Sequence, residues 1–316
     1  MIFLNQYNDK MPIKKPTKGK EPTEFRTQDR GQREFKAHRA EKQGEIMAIA
    51  EKNVITTHSN NSIKNVAKLM KKHDFRRIPI TDAGTNRLEG MAVAIDILDF
   101  LGGGEKYNIV LNDYKGNFLS AINCPISKIM NPEPAFLDRT ASVNDVVKII
   151  LGRHTSSIPV VESKEDKRLI AIVTERDVLP VADGFGITVK EAMRIKCITS
   201  SPGMMVSDVA KIMVRNRLRR LPVIREDGII GIVTVFDVLN FLGYGEFKGV
   251  DAEEILSTRV EGIMSRNVVS LKPEQDIADV SKLVKATNMG GFPVIDDGKL
   301  LGIITTSDVI REVYKA

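Results

Sequence analysis

One short pattern occurs four times in this chain, and it limits the available folds more than any other feature. An apolar residue, a proline and a second apolar residue appear as Ile78-Pro79-Ile80, Ile158-Pro159-Val160, Leu221-Pro222-Val223 and Phe292-Pro293-Val294. Between 15 and 18 residues after each proline, an apolar run closes on an aspartate: GMAVAID (90–96), AIVTERD (171–177), GIVTVFD (231–237) and GIITTSD (302–308). Ahead of each proline the aliphatics recur at helical spacing, as in SVNDVVKIILGRH (142–154) and MVSDVAKIMVRNR (205–217). Ser142 and Ser207 stand where N-caps are expected. A short strand is predicted before each helix, as in CITS (197–200) and NVVS (267–270). Each unit therefore reads strand, helix, strand, turn, strand, helix, an α/β pattern.

A second level of repetition sits above the first. DILDFLG (96–102) returns as DVLNFLG (237–243), and the pair Arg76-Arg77 returns as Arg219-Arg220. Units one and three are thus more alike than either is to its neighbour, as in a duplicated pair. A unit of roughly 60 residues buries too little surface to be robust alone. Two units sharing a sheet face are expected to complete a core, and two such pairs to make the body.

Charge is unevenly placed. Of 47 Lys and Arg against 41 Asp and Glu, residues 1–44 hold 11 and 6, leaving 36 and 35 on the body. That segment is poor in aliphatics and is expected to be mostly disordered, with a helix near Arg33 to Met47. Met11 is a second candidate start. A basic arm suits nucleic acid or an acidic partner, and a solvated tail is the plainer reading. No run approaches the roughly 20 apolar residues that span a bilayer. Cys124 and Cys197 lack metal or disulfide spacing, so a cytoplasmic location is the default. His73 and His154 read as surface residues at helix ends. The clusters Gly102-Gly103-Gly104 and Gly243 with Gly245 fit neither phosphate-loop spacing, and read as helix ends and linker bends.

The strand-to-helix junction has its own chemistry. A hydroxyl residue closes the strand and Asp follows three positions on: Thr174 with Asp177, Thr234 with Asp237, and Thr305 and Ser307 with Asp308. Unit one keeps Asp96 but has Val93 in the hydroxyl place, and unit two has Ala171 where the others have Gly. Helix capping explains any one copy. Four copies also suit a ribose, whose adjacent hydroxyls can both donate to a carboxylate. A phosphate would then meet the threonine and the helix amides, with an adenine between Val and Ile walls.

The four proline strands, the turns Ile129-Met130, Ala192-Met193 and Ile263-Met264, and the Gly-x-x-Thr-x-x-Asp junctions together resemble the CBS domain, over about residues 45–316. The resemblance implies four β-α-β-β-α CBS motifs, paired into two Bateman modules that form a disc-like body. Four-motif members include the adenine-nucleotide-sensing γ subunits of AMP-activated protein kinase and stand-alone archaeal chains. Expected boundaries are the arm 1–44, motif one 45–104, a linker 105–123, motif two 124–184, motif three 185–247 and motif four 248–316. The resemblance also puts the residue three before each proline (Arg76, Ser156, Arg219, Gly290) beside phosphates. Arg77 and Arg220 stand next to two of these, and Arg176 is a further candidate. It completes the Asp308 site with Ile303, Thr188, Met193, Leu218 and Arg219, and that site is expected to be the strongest, around an exposed Asp308.

The function so implied is a non-catalytic regulatory module binding AMP, ADP or ATP between paired motifs, as an energy or metabolite sensor. S-adenosylmethionine is the alternative ligand, and a ligand-gated nucleic-acid-associated protein the alternative class. No catalytic cofactor, metal site or membrane contact is expected. A kinase-like protein partner and a homodimer are inherited from the resemblance. Neither a Ser-His-Asp order nor an acid–base pair in context supports an enzyme.

Overall fold

A computed structural model describes residues 44–153, 155–226, 228–241 and 257–314. The arm, most of the helix expected over 33–47, His154, Gly243 and Gly245 lie outside the described residues.

Unit one comprises α1 (Ile46–Ile49), α2 (Ile63–His73), the hairpin β1 (Arg77–Thr81) and β2 (Leu88–Val93), and α3 (Ala94–Leu98), which runs into a wide π-turn at Asp99–Gly103. The expected linker is itself helical, with α4 (Tyr107–Tyr114) and α5 (Phe118–Ile122), and it buries Val110, Ala121 and Ile122. Unit two holds β3 (Leu137–Asp138), α6 (Val143–Arg153), β4 (Ser157–Val161) and β5 (Leu169–Thr174). Unit three holds α7 (Val189–Ala192), α8 (Val206–Asn216), β6 (Arg220–Arg225), β7 (Gly228–Thr234) and α9 (Val235–Phe241). Unit four holds α10 (Ile277–Thr287), β8 (Gly291–Asp296), β9 (Lys299–Thr305) and α11 (Thr306–Tyr314).

Three local expectations change. Unit two ends in a turn over 175–178 instead of a helix. Pro180 disfavours helical backbone at the residue before it and so cuts the element short. Ser142 caps α6, its Oγ accepting from the Asp145 N–H at 3.2 Å, but Ser207 lies inside α8, whose N-cap is Met205. The helix starts early because Val206 is fully buried. Finally, the short first strand is two residues long in unit two and a single bridge in the others: Thr57 with Ile80, Ser200 with Val223, and Leu271 with Val294.

The prolines are tolerated because their strands use only the carbonyl at that place. Pro79, Pro222 and Pro293 accept from Thr57, Ser200 and Leu271 at 3.1, 2.9 and 3.0 Å, and no N–H is missed.

Units are joined in two ways. Within a pair, the segment entering one unit bridges the second hairpin strand of the other: Glu51 to Ile172, Asn131 to Met91, Arg194 to Ile303 and Ser265 to Ile232. Glycine makes three of these approaches possible. A Cβ on Gly90 would lie 2.8 Å from the Asn131 carbonyl, and one on Gly231 would lie 2.7 Å from Met264 Sδ. Gly302 packs as tightly on Arg194 and Met193. Ala171 takes the fourth place, where Glu51 arrives instead of a Met turn.

Between pairs, the helices share cores in a way the repeat did not disclose. Ile63, Val66, Met70, Ile97 and Leu98 of unit one are buried with Val206, Val209, Met213, Val238 and Leu239 of unit three. Val146, Val147 and Ile150 of unit two are buried with Ile277, Val280, Val284, Val309 and Ile310 of unit four. Sheet contacts thus join units one with two and three with four, whereas the large apolar cores join one with three and two with four.

Candidate functional site

At the junctions each Thr donates to the Asp three residues on, and Thr234 with Asp237 completes a capping box in which the Asp237 N–H donates back to the Thr234 hydroxyl at 3.2 Å. Thr174 donates its N–H and hydroxyl to Asp177 Oδ2 at 2.7 and 2.9 Å. Thr234 does the same to Asp237 Oδ2 at 2.8 and 2.7 Å, and Thr305 to Asp308 Oδ2 at 3.0 and 2.6 Å. The cap uses one carboxylate oxygen and leaves Oδ1 on the other side. Ser307 takes no part in it.

The four Oδ1 atoms differ. Among the described residues, those of Asp177 and Asp237 have no hydrogen-bond partner. Burial holds the Asp237 carboxyl above the usual range, partly offset by its Thr234 hydrogen bonds. Asp308 Oδ1 accepts from Arg194 Nε at 2.9 Å and from Arg311 at 2.8 Å. Its side chain is 0% exposed, so the expectation of an exposed Asp308 fails. Two arginines from units three and four cover it, because a carboxylate with a free oxygen in that place is best satisfied by charged donors. Asp96 Oδ1 accepts from Lys106 Nζ at 2.7 Å.

Of the residues three before the prolines, Ser156 and Arg219 meet, and Arg77 joins them. Arg77 and Arg219 both donate to Ser156 Oγ, the latter at 3.3 Å. Arg219 also lies 3.5 Å from Glu175, a nearly buried carboxylate that accepts from Ser307 Oγ at 3.1 Å. Arg220 donates to the Gly291 carbonyl. A Cβ on Gly290 would lie 3.4 Å from Glu175 Oε1, so the absent side chain keeps that space open. Arg76 stacks over the Phe236 ring at 5.6 Å. Arg176 binds the side chain and carbonyl of Asn288, whose amide donates to Asp74 at 3.2 Å. Five arginines from units one, two and three thus face mainly Glu175 and Asp74. Burial, followed by the Arg219 guanidinium, pushes Arg76 and Arg77 down to about 10 and Arg220 down to about 9. Cations crowded out of water in this way favour an anion in their place.

Each junction is tied to this centre through the backbone. The first helical or turn N–H after the strand donates to the carbonyl of the central residue: Ala94 to Arg76 at 2.9 Å, Glu175 to Ser156 at 3.1 Å, Val235 to Arg219 at 3.0 Å and Thr306 to Gly290 at 3.3 Å. The aspartate lies two residues further on in every unit, and the charges of Asp96 and Asp177 act on Arg77 and Arg176 of the cluster.

Other expected residues are placed less centrally. Ile303 exchanges backbone hydrogen bonds with Arg194 at 2.9 and 3.0 Å, and Met193 lies against Gly302. Leu218 packs on the core of units one and three. Thr188 caps α7 in a capping box with Glu191. Sequence reading missed Lys106, Arg194, Arg311 and Glu175. Glu175 and Arg194 adjoin motif positions, while nothing in sequence marks the other two. No group of metal-ligating side chains occurs among the described residues, and no described helix is long and apolar enough to cross a membrane. Cys124 and Cys197 are free thiols.

A family model described as CBS domain matches residues 45–103, 126–183, 189–244 and 260–315. Protein MJ1225 of Methanocaldococcus jannaschii is 32% identical over 275 residues, covering 84% of this chain and 98% of its own length. Its crystal structure, described as that of a candidate archaeal homologue of γ-AMPK, superposes with a TM-score of 0.80 over 86% of this chain and 99% of that one. A 33.4 kDa protein from the ribosomal RNA operon of Thermofilum pendens is 27% identical, covering 81% of this chain and 86% of its own. A Pyrococcus horikoshii structure, 16% identical and with a TM-score of 0.54, shares the fold.

Proposed function

The chain belongs to the CBS-domain family, and on that premise we propose that it is a non-catalytic sensor of adenine nucleotides. The carrying observation is the backbone link that ties each aspartate-bearing junction to the residue three before the proline, two of which belong to a shared cluster of five arginines. A nucleotide has the matching shape: a ribose diol to donate to Asp177 or Asp237 Oδ1, phosphates for the arginines, and a flat base for the aliphatic strands. S-adenosylmethionine is the weaker candidate, because its sulfonium would approach a cationic centre. The description of MJ1225 as a candidate archaeal homologue of γ-AMPK agrees with this reading. Regulation follows if a ligand that touches two units favours the arrangement in which both contact it.

Titration calorimetry on nucleotide-free protein with AMP, ADP, ATP and S-adenosylmethionine tests the proposal. Binding of at least one nucleotide is expected, weakened about tenfold or more by Asp237→Ala, since a hydrogen bond to a charged group contributes about 1.5–3 kcal/mol. No heat with any of the four compounds refutes it.

A further inference from the structure

Lys106, in the segment between units one and two, has a side chain that joins the two units without belonging to either repeat. Its Nζ donates to Asp96 Oδ1 and to the Ile129 carbonyl, both at 2.7 Å. Asp96 is the ribose-type carboxylate of unit one. Ile129 opens the Met turn of unit two, whose next residues cross β2 through Asn131 and Met91. The ammonium therefore bridges the unit-one carboxylate and the Met turn of unit two.

Its position is built. The π-turn at Asp99–Gly103 carries Gly102 at φ 121°, a conformation that suits glycine. A Cβ on Gly103 would lie 2.7 Å from Val214 Cγ2, and one on Gly104 would lie 2.8 Å from Asp99 Oδ1. Three glycines thus let the chain fold back tightly against α8. Asp99 Oδ1 then accepts the Lys106 N–H at 2.8 Å. The glycine cluster, a helix end by sequence, also aims this side chain. Unit one is the copy with Val93 in place of the capping hydroxyl.

We infer that Lys106 is an internal occupant of the unit-one cleft and closes it to nucleotide, leaving Asp177 and Asp237, whose Oδ1 atoms have no partner among the described residues, to bind. A ribose hydroxyl would have to displace an ammonium that is both hydrogen-bond donor and counter-charge to Asp96, and would leave that ammonium without its partner. The inference rests on the nucleotide reading, and its test separates the two.

The first measurement is ATP stoichiometry by equilibrium dialysis. Lys106→Met is expected to bind one equivalent more than the natural protein, and Lys106→Met with Asp96→Asn to return to the natural count. An unchanged count in the single variant, or an extra equivalent kept in the double one, overturns the inference. The second measurement is the rate of lysine acetylation by acetic anhydride, read by mass spectrometry. Lys106 is expected to react several-fold more slowly than the exposed Lys164 and Lys190, with saturating ATP making no difference. A Lys106 that reacts as fast as those two, or is released by ATP, overturns the inference. If neither ATP nor AMP nor ADP binds to any of the proteins, the nucleotide reading falls and the closed-cleft inference falls with it, whereas nucleotide binding with an unchanged count overturns the inference alone.

Discussion

Asp96 and Asp237 occupy the same place in units one and three, three residues past Val93 in one and Thr234 in the other. The flanking residues are nearly the same, DILDFLG against DVLNFLG, and both units feed one apolar core. Their carboxylates nevertheless keep different company. Asp237 is capped by Thr234 and has an unpaired Oδ1 among the described residues, whereas Asp96 has no hydroxyl cap and is held by Lys106. The fourth residue of the repeat contributes to the split: Asp99 anchors the Lys106 backbone, and unit three has Asn240 there. A duplicated unit can keep its packing and still change its chemistry, since packing depends on the apolar face and binding on two or three polar atoms.

The largest effect should be common to both units. Gly90→Ala and Gly231→Ala each force a Cβ to within 3 Å of the partner's Met turn, and each is expected to cost about 1–3 kcal/mol in urea denaturation. If only one of them loses stability, the two interlocks are not equivalent. A smaller effect should divide the units. Thr234→Val removes a cap and is expected to cost about 1 kcal/mol. Val93→Thr should gain less than that, because Lys106 already holds the carboxylate.

The smallest effect is a sign. Burial raises the Asp237 carboxyl above its unfolded value, so its ionisation opposes folding, and the stability it confers when protonated is lost as pH rises through that raised range. Asp237→Asn should therefore raise the melting temperature at pH 7 slightly, by under ~1 kcal/mol of stability for a partly exposed group, with the gain shrinking towards pH 4. Asp96→Asn should lower it, since Lys106 loses its counter-ion. Matching signs in a pH series of melting curves would break the comparison.

The four units, their prolines, the strand-to-helix junctions and the register of Arg76 with Arg219 were all legible in the sequence, because each is local and repeats. The candidate carboxylates were legible for the same reason. Asp308 was read as exposed because Arg194 lies over a hundred positions away and Arg311 on its own helix carries no motif. A helix is expected at the end of unit two, where the chain forms a turn, because the repeat outweighs Pro180 in the reading of the sequence.

By itself the sequence determined what each unit is: a helix, a proline hairpin and an aspartate just past the second strand, bonded to a threonine in three of the four units. Only the tertiary structure decided which units share cores, where Ser156, Glu175 and the arginines gather, and that Lys106 reaches Asp96. These are matters of long-range packing and of where one side chain's charge comes to rest, and no local pattern encodes either.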